Sequence, residues 1–186
     1  MNRPLLRFAS GAITSLLFIP AVASADKLTQ SEVAFTDGRY RLESRIFIAA
    51  TAAEITRVIT DFDALNRIDP RVTESRLIGT NKNDRHLVYS AVRDCVLVFC
   101  FTIERVEEVT MVSETEIIAR AVPELSKIPF SFARWLLEPK DGGTWLTYEL
   151  EIDPGIRAPR GIVKKRFAKS VRSALENIEL LALAGE

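Results

Sequence analysis

The chain has 186 residues, 25 Lys plus Arg against 25 Asp plus Glu, and 47% hydrophobic residues. That length fits one domain with a sizeable core. The balanced charge excludes a global pull toward nucleic acid or toward acidic substrates.

Arg3 and Arg7 make a basic start, and Phe8 to Ala23 form an apolar run. Ala23-Ser24-Ala25 closes the run with small residues. This order predicts a secretory signal peptide over residues 1–25, cleaved before Asp26. Ser10, Gly11, Thr14, Ser15 and Pro20 interrupt the run, whereas a membrane span needs ~20 mostly apolar residues. The protein is therefore expected to be periplasmic or secreted. Residues 26–37 are polar and read as a flexible N-terminal segment ahead of one domain, 38–186.

Tyr40, Leu42, Ser44, Ile46 and Ile48 alternate with Arg41, Glu43, Arg45 and Phe47, which predicts a half-buried strand. Thr51 with Glu54 three residues later is a capping box, and Ile55, Val58 and Ile59 then form the inner face of a short helix. Asp61 to Asp69 is a second, turn-rich helix that stops before Pro70. From Val72 the period becomes two. Strands are expected near 72–79, 85–95, 100–110, 114–122, 130–138 and 144–152, with clear turns at Asn81-Lys82-Asn83-Asp84 and Asp141-Gly142-Gly143. The last element is a helix over about 159–184, with Pro159 in its first turn and Val163, Phe167, Val171, Ala174, Ile178 and Leu181 on one stripe. One strand, two short helices, six strands and one long amphipathic helix predict an α+β fold with the helix laid across an antiparallel sheet.

Catalytic patterns are sparse. His86 is the only histidine and lacks a nucleophile-elbow Ser nearby, so it reads as an ordinary surface histidine. One His and two Cys do not make a zinc site, and no Gly-rich phosphate loop occurs. Neither metal, cofactor nor catalytic residue is assigned. Cys95 and Cys100 flank Val96-Leu97-Val98-Phe99. If that segment is a hairpin tip, the cysteines face each other and a bridge is permitted in an oxidising compartment. If it is one continuous buried strand, the thiols stay unpaired. Arg157, Arg160, Lys164, Lys165, Arg166, Lys169 and Arg172 precede the first acid of the last helix, Glu176. Arg93, Arg120 and Arg134 fall within strands, where they either face the cavity or pair across strands with Glu104, Glu116 or Glu149, the pairing being the simpler role.

Three stretches carry a family resemblance. Ile48-Ala-Ala-Thr-Ala-Ala-Glu54 runs on through Val58-Ile-Thr-Asp-Phe62 to Pro70; Trp135-Leu-Leu-Glu-Pro139 is followed by Gly142-Gly-Thr144 and Tyr148; the long helix ends the chain. Together they resemble the helix-grip fold of the START and birch-pollen-allergen (SRPBCC) superfamily. The polyketide cyclase/dehydrase and coenzyme-Q-binding branch is the nearest in pattern. The signal peptide and the Cys95/Cys100 pair resemble an exported subgroup. The resemblance implies a curved antiparallel sheet of about seven strands wrapped around the long C-terminal helix, with a cavity between them. No Rieske pair of Cys-x-His motifs is present, so the dioxygenase branch does not fit.

On that fold the expected ligand wall is Trp135, Leu137, Leu146, Tyr148 and Leu150 on the last hairpin, facing Phe167, Val171, Ala174 and Ile178 on the helix. Lys164 and Arg160 either snorkel outward or meet an anionic head at the cavity mouth. Tyr148, Tyr89 and Ser44 are candidates for orienting hydrogen bonds. The implied function is a monomeric periplasmic carrier of a small hydrophobic ligand, such as a lipid, isoprenoid or polyketide-like molecule. Transient contact with anionic membrane through the basic helix start and Val96–Phe99 is expected. The alternatives are a cyclase or aromatase and a protein-interaction module without a ligand.

Overall fold

The structure is a computed structural model that describes residues 28–30, 32–83, 85–96, 99–156 and 158–185. Residues 1–25, Leu97 and Val98 lie outside these, and so do the signal-peptide and apolar-tip expectations that rest on them. The elements run β1 Leu28–Gln30, β2 Ala34–Thr36, β3 Arg39–Ile48, α1 Ala52–Ile59, a 3-10 turn Phe62–Ala64 and α2 Leu65–Ile68. They continue through β4 Val72–Thr80, β5 His86–Val96, β6 Phe99–Ser113, β7 Glu116–Ala121, β8 Phe130–Lys140, β9 Gly143–Asp153 and α3 Arg160–Ala184. One antiparallel sheet follows the order β1-β3-β9-β8-β7-β6-β5-β4, with β2 also paired to β3. The curved sheet and the long C-terminal helix make the expected helix-grip fold.

Among the described residues nine strands are present where about seven were expected. The difference lies in the segment read as flexible. Leu28 pairs with Ile46, and Phe35 pairs with Tyr40 across a two-residue Asp37-Gly38 turn whose residues both have positive φ. An Asp-Gly pair is a strong hairpin signal because both central residues must reach that region. Val33 is 4% exposed, so this segment contributes to the core. The Phe35 ring sits 4.7 Å from Tyr40, which in turn sits 5.4 Å from Phe167 on α3.

The capping box forms as read: Glu54 N–H donates to Thr51 Oγ1, and the Thr51 N–H donates to Glu54 Oε2. The turn-rich second helix resolves into the 3-10 turn and α2, tied to α3 where Asn177 Nδ2 donates to the Ile68 carbonyl. The Gly-Gly-Thr stretch is structural. A Cβ on Gly143 would lie 2.2 Å from the Ile48 carbonyl oxygen. Thr144 is fully buried and donates to the Ala50 carbonyl, fastening β9 to the entry of α1. On the outer sheet face, Arg134 bridges Glu116 at 2.8 Å and Glu149 at 3.4 Å, the cross-strand pairing expected of it. Arg120 instead stacks over the Phe132 ring.

Candidate functional site

The inner faces of β5 to β9 and the apolar stripe of α3 do not close on each other completely. Between them lies a cavity of about 200 Å³. A single water needs only about 10–15 Å³, so the space suits a multi-atom ligand. Its walls are mostly apolar: Val88 and Val92 from β5, Ile117 and Ala119 from β7, Phe62 and Leu65 from the short helices, and Phe167, Val171, Ala174 and Ile178 from α3.

Seven of the residues expected on the ligand wall line this cavity: Trp135, Tyr148, Leu150, Phe167, Val171, Ala174 and Ile178. Trp135 and Tyr148 are directly paired on β8 and β9, with ring centroids 5.1 Å apart. Leu137 and Leu146 face the same way but do not line it. They pair with each other at the end of the sheet where α1 packs, and at 2% and 0% exposure they are solid core alongside Ile55. Ser44 is buried without a hydroxyl partner and lies off the cavity, and Tyr89 is also off it, with Arg76 over its ring.

Lys164 does not reach the cavity either; Arg166 does. Arg166 and Ser170 line the cavity from one edge of the α3 stripe, while Arg160 and Lys164, which share the wheel sector of Val171 and Ile178 but sit in the first turns of the helix, do not line it. There Arg160 stacks 4.3 Å over the Phe35 ring.

Four charged residues form the cavity rim. Arg71 binds Asp69 at 2.6 Å and Asp94 at 2.9 Å, and Arg166 donates to Asp94 from Nε at 3.1 Å. The Cys95 N–H donates to the same carboxylate at 2.7 Å. Burial raises the Asp94 carboxyl, but the hydrogen bonds from Arg166, the Cys95 amide and Arg71 outweigh it and hold the group below its ordinary value. Next to it, Cys95 and Cys100 are register partners on β5 and β6 and are joined by a disulfide. The hairpin reading of these cysteines therefore holds.

A second polar group also lines the cavity. Arg105 Nε is 3.0 Å from Glu107 Oε2, and Ser131 Oγ donates to Glu107 Oε1 at 2.9 Å. Tyr148 is close enough to feel Arg105 and Glu107. Burial raises its phenol well above the ordinary value, so it stays protonated and can donate. Sequence reasoning missed all of these charged lining groups. The alternation Phe101, Ile103, Arg105, Glu107, Val109 on β6 was the available signal: two charges on an otherwise apolar face. His86 is half-buried, its ring 5.6 Å from Phe62 and its Nδ1 without a partner. Among the described residues no His/Cys/Asp/Glu cluster could hold a metal, and no helix is long and apolar enough to cross a membrane.

The family profile described as polyketide cyclase/dehydrase and lipid transport matches residues 39–182. Comparison with curated protein sequences gives no match. Among solved structures, the fold is similar to a STAR-related lipid transfer protein from Xanthomonas axonopodis, with TM-score 0.62 and 18% identity over 84% of this chain and 99% of that one. It is also similar to human STARD10, with TM-score 0.63 and 14% identity over 87% and 75%. The Zhui aromatase/cyclase of Streptomyces sp. R1128 aligns with TM-score 0.55 and 14% identity over 78% and 92%.

Proposed function

Because the chain belongs to the polyketide cyclase/dehydrase and lipid transport family, we propose that it is a non-enzymatic carrier of one small apolar ligand, held between α3 and the sheet. The ligand class is a lipid, isoprenoid or polyketide-like molecule. The carrying observation is the apolar-walled cavity, where burial stabilises a ligand by ~25 cal/mol per Å² removed from water. Trp135, Tyr148, Leu150, Phe167, Val171, Ala174 and Ile178 supply its contacts. A cyclase would need a free acid or base beside the ligand. Glu107, the buried carboxylate of the cavity, has one oxygen engaged by Ser131 and the other by Arg105.

The carrier works outside the cytoplasm, exported by residues 1–25. The sequence of that segment supports this, and the Cys95–Cys100 disulfide agrees with it, since such bonds persist in oxidising compartments. Contact with anionic membrane through the basic face of α3 completes the reading.

Native mass spectrometry and lipid extraction of protein purified from its own host test the proposal. The expected result is a co-purified apolar molecule on a chain that starts at Asp26. Protein that carries no ligand and binds no hydrophobic probe contradicts the carrier, and a chain still starting at Met1 contradicts export.

A further inference from the structure

The polar groups inside the cavity are not balanced in their hydrogen-bonding needs. Arg105 meets Glu107 as an ion pair, but its buried Nε has no aligned acceptor. The terminal guanidinium nitrogens make no hydrogen bond among the described residues. The Tyr148 hydroxyl makes no hydrogen bond among the described residues, and its residue lines the cavity. Glu107 accepts a hydrogen bond from Ser131 on Oε1 and faces Arg105 as an ion pair through Oε2. Arg105 and Tyr148 therefore offer the cavity more donors than Glu107 can accept from, and the buried Arg105 Nε lacks an aligned acceptor, which costs free energy.

Charge is balanced where hydrogen bonding is not. Asp69, Asp94 and Glu107 line the cavity opposite Arg71, Arg105 and Arg166, three acids against three bases. All six are already paired with one another. An anionic ligand head beside Arg105 would add an uncompensated charge next to Glu107, and uncompensated buried charge is strongly unfavourable.

We propose that the cavity selects neutral ligands bearing a carbonyl acceptor on an apolar body, with Arg105 and Tyr148 as the two donors that read the carbonyl oxygen. Glu107, held by Ser131, is a positioning residue that fixes the Arg105 guanidinium. This deepens the carrier reading and rests on it.

Competition binding tests the proposal at neutral pH. N-phenyl-1-naphthylamine, a neutral apolar fluorophore, reports the intact cavity. Decan-2-one and decanoate compete for it with matched chains. The expected result is that decan-2-one competes at least roughly tenfold better than decanoate, because the carboxylate accepts the same hydrogen bonds but brings an uncompensated charge into the cavity. Tyr148→Phe removes a hydroxyl that no described residue binds, so the fold should hold. It should weaken decan-2-one roughly three- to tenfold relative to the fluorophore, whose own affinity for the variant is measured directly. The double variant Arg105→Met/Glu107→Leu removes both charges together, avoids an orphaned carboxylate, and should likewise weaken decan-2-one relative to the fluorophore. Better competition by decanoate, or unchanged ketone affinity in both folded variants, overturns the proposal. A wild-type protein that does not bind the fluorophore overturns the carrier reading as well. Fluorophore binding without ketone preference overturns this inference alone.

Discussion

Asp94 on β5 and Arg166 on α3 are joined across the rim of the cavity, with Arg166 Nε donating to Asp94 Oδ1 at 3.1 Å. The same carboxylate also holds Arg71, so the β5–β6 hairpin, the start of β4 and the first half of α3 meet at one side chain that is only 11% exposed. One side of the cavity is therefore closed by an ionic clasp.

Asp94→Ala leaves both arginines facing the rim without their shared acceptor. A poorly exposed group bonded to charges is worth on the order of 1–3 kcal/mol. Denaturant unfolding should show a loss of that size, and stopped-flow release of a bound fluorophore should accelerate. Unchanged stability and unchanged release would show that the clasp is not closed in solution.

Acid should open the same clasp. Burial pushes the Asp94 carboxyl up, but its hydrogen bonds pull it further down, below the ordinary 3.8. A depressed carboxyl contributes stability that is present above its unfolded value and lost as pH falls through its folded value. Fluorophore release should therefore stay constant from neutrality down through the ordinary Asp range and quicken only below it. Asp94→Asn should release quickly at every pH. An acid step that persists in Asp94→Asn belongs to another group.

The disulfide closes a short loop, with a sequence separation of five. In the chain-entropy account such a loop is worth about 2 kcal/mol. Thiol counting on denatured, unreduced protein should find no free thiol, and reduction should lower the unfolding midpoint without altering the far-UV spectrum. Two free thiols per chain in exported protein would contradict the bridge.

Membrane contact is tested by liposome co-sedimentation. Lys165, Lys169 and Arg172 are exposed on α3, and the Asp94–Arg166 contact places the hairpin end beside that helix. Wild type should bind anionic vesicles at low salt and detach at high salt, because exposed charges are screened. Lys164→Glu/Lys165→Glu should bind clearly less. Equal binding by both proteins would make the basic run a solvated face and nothing more.

The fold was legible because its signals are periodic. Alternation on β3, β8 and β9 placed Tyr148 and Trp135 inward, and the α3 stripe named Phe167, Val171 and Ala174. The Asp37-Gly38 hairpin was missed because polar neighbours hid Val33 and Phe35. The cavity's charged groups were harder. Asp94, Arg71 and Arg166 are far apart in sequence and meet only through the curvature of the sheet. Leu137 and Leu146 share the inner face with Trp135 and Tyr148, and nothing in their local pattern tells core from cavity wall. That distinction depends on where α1 fills the space and where α3 does not.

The central claim, a ligand cavity between α3 and the sheet, is tested most directly by filling it. Ala174 lines it from the middle of α3. Ala174→Trp should keep the wild-type far-UV spectrum and a cooperative thermal transition. Ala133→Phe, entering from β8, controls for overpacking at one site. Both folded variants should lose binding of N-phenyl-1-naphthylamine. A folded Ala174→Trp that binds the fluorophore as tightly as wild type would contradict the account.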